Sequence, residues 1–175
     1  MVKKEEKQSI KNYPRVEIDF SPKIPPVELI RDKTKVDLRY ALISPFAFAH
    51  IHWDEKISEI IYDVEEPILD ETEKIKKENI VNAMRDIIDF DIVIEGGRER
   101  ILDYIDKKFR VLAIELGIDM SYETYRKIYY YLCRDFLGFN EVEPLLRDYF
   151  IEDIECNGAD APIYIVHRRY INLKT

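Results

Sequence analysis

The sequence predicts an α+β fold, in which an N-terminal β-hairpin and three-helix bundle are followed by the start of an α/β subdomain. Three patterns carry that prediction. Apolar residues alternate with period two over 36–64, recur at helical spacing in three stretches between 70 and 138, and run consecutively at Ile163, Tyr164, Ile165 and Val166. Residues 1–35 read as an extended basic and proline-rich arm, 36–138 as the hairpin with its bundle, and 139–175 as an incomplete α/β subdomain.

Composition bounds the function. Of 175 residues 46% are hydrophobic and 35% charged, enough apolar material for a core and too much for a disordered chain. A net charge of -8 argues against a groove that tracks phosphates, so nucleic acid is not an expected partner. Cys133 and Cys156 have neither metal-pair spacing nor a disulfide framework, and with no secretory signal the chain reads as cytoplasmic. No apolar run approaches the roughly 18 residues of a membrane helix, so contact with a membrane is expected to be peripheral.

In the arm, Lys3, Lys4, Lys7 and Lys11 outnumber Glu5 and Glu6, and residues 1–12 read as a solvated tail that can meet an anionic membrane surface. Pro14, Pro22, Pro25 and Pro26 fix φ and remove backbone donors, which predicts an extended strap over 13–35. Phe46, Phe48, His50 and His52 then alternate with Ala47, Ala49, Ile51 and Trp53, and 57–64 is a second β-rich run. A hairpin turning through Asp54, Glu55 and Lys56 accounts for both. His50 and His52 share a face, but no third ligand of suitable spacing accompanies them, so packed or half-exposed histidines are expected.

Asp70 and Glu73 form a capping-box pattern for a first helix whose stripe is Ile80, Met84, Ile87 and Ile88, ending near Phe90. Gly96 and Gly97 break the chain. A second helix over 98–116 places Ile101, Ile105, Leu112 and Leu116 on one face, with Gly117 as its stop. Ser121 caps a third, striped by Tyr125, Ile128, Tyr129, Leu132 and Phe136. Successive helical residues point about 100° apart, so Tyr129, Tyr130 and Tyr131 cannot make one aromatic platform; they divide between core and rim.

Asn140 is placed to cap a short helix starting at Glu141, with Glu143 at the capping-box position and Pro144 in the first turn. Ile151, Ile154 and Cys156 follow as strand, Asn157 and Gly158 as a turn, and 163–170 as a second strand. Two strands are marginal alone, so this sheet is truncated, or is completed by the hairpin at 47–64 or by another molecule. His167, Arg168 and Arg169 make a basic cluster that could contact an anion, although strand alternation splits the arginines between faces.

Catalytic patterns are missing from the sequence. It has no GxxxxGK[ST] loop, whose glycines let backbone amides converge on phosphate; Gly96 and Gly97 are followed by Arg98 and Glu99. Glycine-flanked serine nucleophiles and two-histidine metalloprotease helices are missing too. Glu152, Asp153 and Glu155 are adjacent carboxylates among 35 acidic residues, where adjacency arises by chance. No catalytic, cofactor-binding or metal-binding residue is assigned in this chain.

Glu143, Pro144, Leu145, Leu146, Asp148, Ile151, Glu152, Asp153, Ile154, Asn157 and Gly158 resemble the signature that opens the second N-terminal subdomain of the type II/type IV secretion ATPases. The run RYALISPFAFAHIH at 39–52, with YDVEEPILDETEK after it, is similar to their archaeal branch, which includes the archaellum motor ATPase and related pilus and secretion ATPases. The resemblance implies a helical first subdomain and a PAS-like second one ahead of a hexameric ATPase ring. It also implies docking on a membrane platform protein and other motor or secretion subunits at the cytoplasmic face. ATP and Mg would belong to the full-length protein, whose phosphate-binding loop falls beyond Thr175 in the family's order, and this chain alone is expected not to hydrolyse ATP. A free-standing adaptor, binding through the bundle and an open strand edge, is the alternative, and a metal-dependent hydrolase using His50 and His52 is a third reading.

Overall fold

The predicted capping box opens helix α1, Glu71–Ile87: the Glu73 amide donates to Asp70 Oδ1 at 2.8 Å, and the Asp70 amide donates to Glu73 Oε2 at 3.1 Å. This computed structural model describes residues 9–23, 25–87, 97–158 and 161–175. The tail lysines 3, 4 and 7, the predicted helix end at Ile88 and Phe90, and Gly96 lie outside them. Backbone contacts divide the chain into two units, Met1–Glu17 with Ile68–Asn140, and Ile18–Pro67 with Glu141–Thr175.

The first unit is a three-helix bundle. Helix α2 is Arg98–Glu115 and α3 is Tyr122–Leu137, and each of the three helices packs on the other two. Ile80, Met84, Ile101, Ile105, Leu112, Tyr125, Ile128, Tyr129 and Leu132 are buried, as their spacing predicts. Ile87 and Leu116, predicted on the same stripes, are exposed by 39% and 48%. Leu116 caps α2 rather than belonging to its last turn. There Gly117 adopts φ +64° and its amide reaches the Ile114 carbonyl, while the Ile118 amide reaches that of Ala113, a Schellman ending.

The bundle contains a polar post. Tyr125 donates its hydroxyl to Asp106 Oδ1 at 2.5 Å, and Arg110 donates to both Asp106 oxygens at 2.7 and 3.2 Å. Arg110 Nη1 also donates to the carbonyls of Ile10 and Tyr13, which fastens the chain before Glu17 to α2. The sequence reading of residues up to 12 as solvated is thereby corrected: Ile10 is buried, its carbonyl held by a guanidinium 100 residues away.

The second unit carries every strand among the described residues. These are β1 Asp37–Ile43, β2 Ala47–Asp54, β3 Glu59–Glu65, β4 Ile151–Cys156, β5 Ile163–His167 and β6 Ile171–Lys174, in one sheet ordered β1-β2-β3-β6-β5-β4. All neighbours are antiparallel except β3 and β6, which pair in parallel at Ile61 and Lys174. Alternation puts Tyr40, Leu42, Ala47, Ala49, Ile51, Tyr62, Ile165 and Leu173 into the core. The expected turn forms at the end of β2, where Asp54 Oδ1 accepts from the Lys56 and Ile57 amides.

The α+β class is therefore observed, with a different grouping of its parts. The hairpin at 47–64 groups with the last strands rather than with the bundle, so of the options the sequence left for the terminal strands it is extension by this hairpin that the sheet shows. Two strands were missed. β1 precedes the expected hairpin, and the run predicted as one strand over 163–170 breaks after His167, turns through 168–170 and returns as β6, with Ile171 at φ +61°. β6 supplies the link that two terminal strands alone lack. The strap is extended over most of its length, with Phe20 and Val27 buried and Asp19 exchanging two 2.9 Å backbone bonds with Ser44 just past β1.

Candidate functional site

The signature residues lie together in the second unit, along one continuous stretch. A 3-10 turn, Asn140–Val142, leads into the single-turn helix α4, Glu143–Leu146. The predicted cap is replaced. Val142 occupies the N-cap position and supplies no side-chain bond, while Asn140 sits at φ +54°. The Glu143 carboxylate, 1% exposed, accepts from Arg147 Nε at 2.5 Å and pairs with its Nη2, the i,i+4 partner. Arg147 in turn lies 5.8 Å from the Phe20 ring of the strap.

Asp148 is the hinge pin of this stretch. It is buried, and its Oδ2 accepts hydroxyl bonds from Tyr40 of β1 at 2.5 Å and Tyr62 of β3 at 2.7 Å, while Oδ1 accepts the Phe150 amide at 2.8 Å. A buried carboxylate is tolerable only when its lone pairs are so occupied. Burial, and next the Asp148 charge, push both tyrosine hydroxyls well above the ordinary phenol range, so both stay protonated donors. Beside this node lies His167, 1% exposed, with the rings of Phe150 and Tyr170 at 5.6 Å and of Tyr62 at 6.5 Å. Its Nδ1 accepts the Arg169 amide at 3.2 Å, which leaves the proton on Nε2, and that buried atom has no hydrogen-bond partner among the described residues. Burial holds the imidazole below its ordinary 6.5, against the opposing pull of Asp148.

The basic cluster read from the sequence is thus divided. His167 is core; Arg168 and Arg169 are exposed in the β5–β6 turn rather than on opposite faces of a strand. Arg168 lies over the Tyr149 ring at 4.4 Å and 3.4 Å from Glu152 Oε1.

After Asp148 the stretch turns outward. Leu145 and Phe150 are buried, but Leu146 is 51% and Tyr149 65% exposed. A shallow cavity of about 310 Å³ opens here, lined by Leu145, Leu146, Asp148, Ile151, Glu152, Asp153 and Ile154. All seven belong to the signature. β4 ends at Cys156, and Asn157 and Gly158, the latter at φ +135°, follow it without regular structure; the rest of the connection expected there lies outside the described residues. The cavity offers apolar walls and acids at its mouth, an arrangement suited to holding a side chain of another polypeptide.

The His50 and His52 rings lie 4.4 Å apart, tilted by 31°, on the half-exposed face of β2. Carboxylates meet their nitrogens: Asp37 and Glu65 at 2.9 and 3.1 Å from His50, Asp63 at 2.8 Å from His52. Among the described residues no three His, Cys, Asp or Glu side chains converge as a metal site would require. The Asp63 hydrogen bond raises the His52 imidazole above its usual value.

Sequence reasoning missed Tyr40 and Tyr62, which lie 108 and 86 residues from Asp148 and carry no local signal of the contact. The Glu143–Arg147 pair did have one, its i,i+4 spacing. No helix among the described residues is long and apolar enough to cross a membrane.

No protein-family model matches the chain. It is similar to an uncharacterized protein of the archaeon Methanocaldococcus jannaschii, 32% identical over 117 residues. That match takes in 65% of this chain and 45% of the relative, so the chain spans less than half the relative's length.

Proposed function

We propose that this chain is an assembly and regulatory region of a secretion-type ATPase, which powers filament assembly, rotation or secretion. It docks on a membrane platform protein or other motor subunits, and leaves catalysis to a separate nucleotide-binding module. The observation that carries the reading is the arrangement of residues 143–158: the signature positions make one tethered unit, with Glu143 and Asp148 locked inside and Leu146, Ile151, Asp153 and Ile154 turned to a cavity. Interior carboxylates fix the geometry of such a unit, and outward apolar and acidic residues make contacts.

In this reading ATP and Mg bind the catalytic module, six copies form the ring, and the assembly works at the cytoplasmic face of the membrane. Reading the gene beyond the codon for Thr175 tests it. An in-frame GxxxxGK[ST] segment is expected; a stop codon directly after Thr175 overturns the reading. The free-standing adaptor is the second reading, and the edge of β4, which no strand among the described residues covers, favours it.

A further inference from the structure

The two edges of the sheet are treated differently. At β1 the strap supplies Asp19, which exchanges backbone bonds with Ser44 just past the strand end. At β4 no strand among the described residues pairs with the outer side. An open edge presents backbone donors and acceptors that another chain can pair with, and proteins normally shield such edges with charge, bulges or short length. β4 carries all three signs of shielding. It has six residues, an irregularity between Ile151 and Asp153, and the acids Glu152, Asp153 and Glu155. The Ile154 amide donates at 2.9 Å to the exposed carboxylate of its own neighbour, Asp153. That bond is local, and an incoming carbonyl can replace it without disturbing the core.

What sits beside this edge distinguishes it from a merely shielded one. The 310 Å³ cavity is lined from β4 itself by Ile151, Glu152, Asp153 and Ile154, and from α4 by Leu145 and the half-exposed Leu146. An added strand places alternate side chains on one face at a spacing of about 7 Å, so one apolar side chain can enter the cavity while its neighbours meet the acids. The charges choose the occupant. A second copy would bring the same acids of a chain with net charge -8, and nucleic acid or an anionic lipid surface would be repelled likewise.

From this combination we infer that β4 receives an extended basic polypeptide segment of a partner protein as a seventh strand, with an apolar side chain of that segment seated between Leu146 and Ile154. The inference goes beyond the ATPase reading and holds equally for an adaptor, because it needs only this edge and its cavity.

The test uses the full chain and three synthetic peptides of equal length: alternating Lys and Val, alternating Glu and Val, and a Lys peptide with Pro in place of each Val. Binding is followed by calorimetry, and backbone amide exchange locates it. The Lys–Val peptide is expected to bind and to slow exchange along β4, while the Glu–Val and Lys–Pro peptides do neither, since one lacks the charge and the other cannot pair as a strand. Charge reversal at Asp153 and Glu155 to Lys is expected to weaken binding by about tenfold, from roughly 0.5–1 kcal/mol at each of two rim acids. Leu146→Asp, at an exposed position, is expected to weaken binding without unfolding the chain; far-ultraviolet circular dichroism checks that. Protection away from β4, equal binding by the Lys–Pro peptide, insensitivity to the charge reversals, or self-association through β4 in place of peptide binding would each overturn the inference.

Discussion

A single carboxylate, Asp148, gathers a residue from β1, one from β3 and the start of the β4 segment. Removing it leaves two buried phenol hydroxyls without their acceptor. Asp148→Ala is therefore expected to destabilise the fold by roughly 3–5 kcal/mol, and Tyr40→Phe by about 2 kcal/mol, in urea unfolding. The double variant should lose less than the sum, because both changes act on one network. His167 makes the opposite kind of prediction. Its folded imidazole titrates below 6.5 because it is buried, so the unfolded chain takes up the proton first as pH falls. The penalty is absent above about 6.5 and grows on acidification towards the lowered folded value. His167→Phe removes the unpaired Nε2 and fits the ring of aromatic neighbours. It is expected to leave stability at neutral pH unchanged or higher by about 1 kcal/mol, and to flatten stability against pH just below 6.5.

Elements here are set by their ends as much as by their stripes. Ser121 Oγ accepts the Thr124 amide at 3.1 Å, and Ser121→Ala should lower the melting free energy by about 1 kcal/mol. At α1, burial alone would raise the Glu73 carboxyl, but bonds from the Asp70 amide, Thr124 and Lys127 outweigh it and hold the group below its ordinary 4.5. Its contribution to stability is complete above that value and is lost as pH falls through the lowered folded one, which Glu73→Gln should show as a weaker acid dependence. These caps were legible because each involves residues three apart in sequence. Asn140 and Glu143 had the same spacing without the same outcome. There, Arg147 claims the Glu143 carboxylate, and a 3-10 turn replaces the first helical turn. Strand β6 was illegible for a related reason: the break at 168–170 carries Arg, Arg and Tyr, none of which marks a turn.

For the whole molecule, chain order and strand order diverge: in the sequence, residues 68–140 separate the segments that supply β1–β3 from those that supply β4–β6 of one sheet. A peptide of residues 139–175 should therefore be disordered in solution, since β6 lacks β3 and Asp148 lacks Tyr40 and Tyr62; circular dichroism and amide exchange would show it. The sequence by itself determined the α+β class, the three helical stripes, most helix caps, the hairpin turn and the placing of the signature stretch. Each of these follows from side chains a few residues apart, where periodicity and turn chemistry act. The tertiary structure alone decided that the hairpin and the last strands share a sheet, that His167 is core while Arg168 and Arg169 are surface, and that the signature closes on Tyr40 and Tyr62. Those outcomes depend on strand pairing and burial across roughly a hundred residues, where loop closure is compensated only by contacts that no local pattern announces.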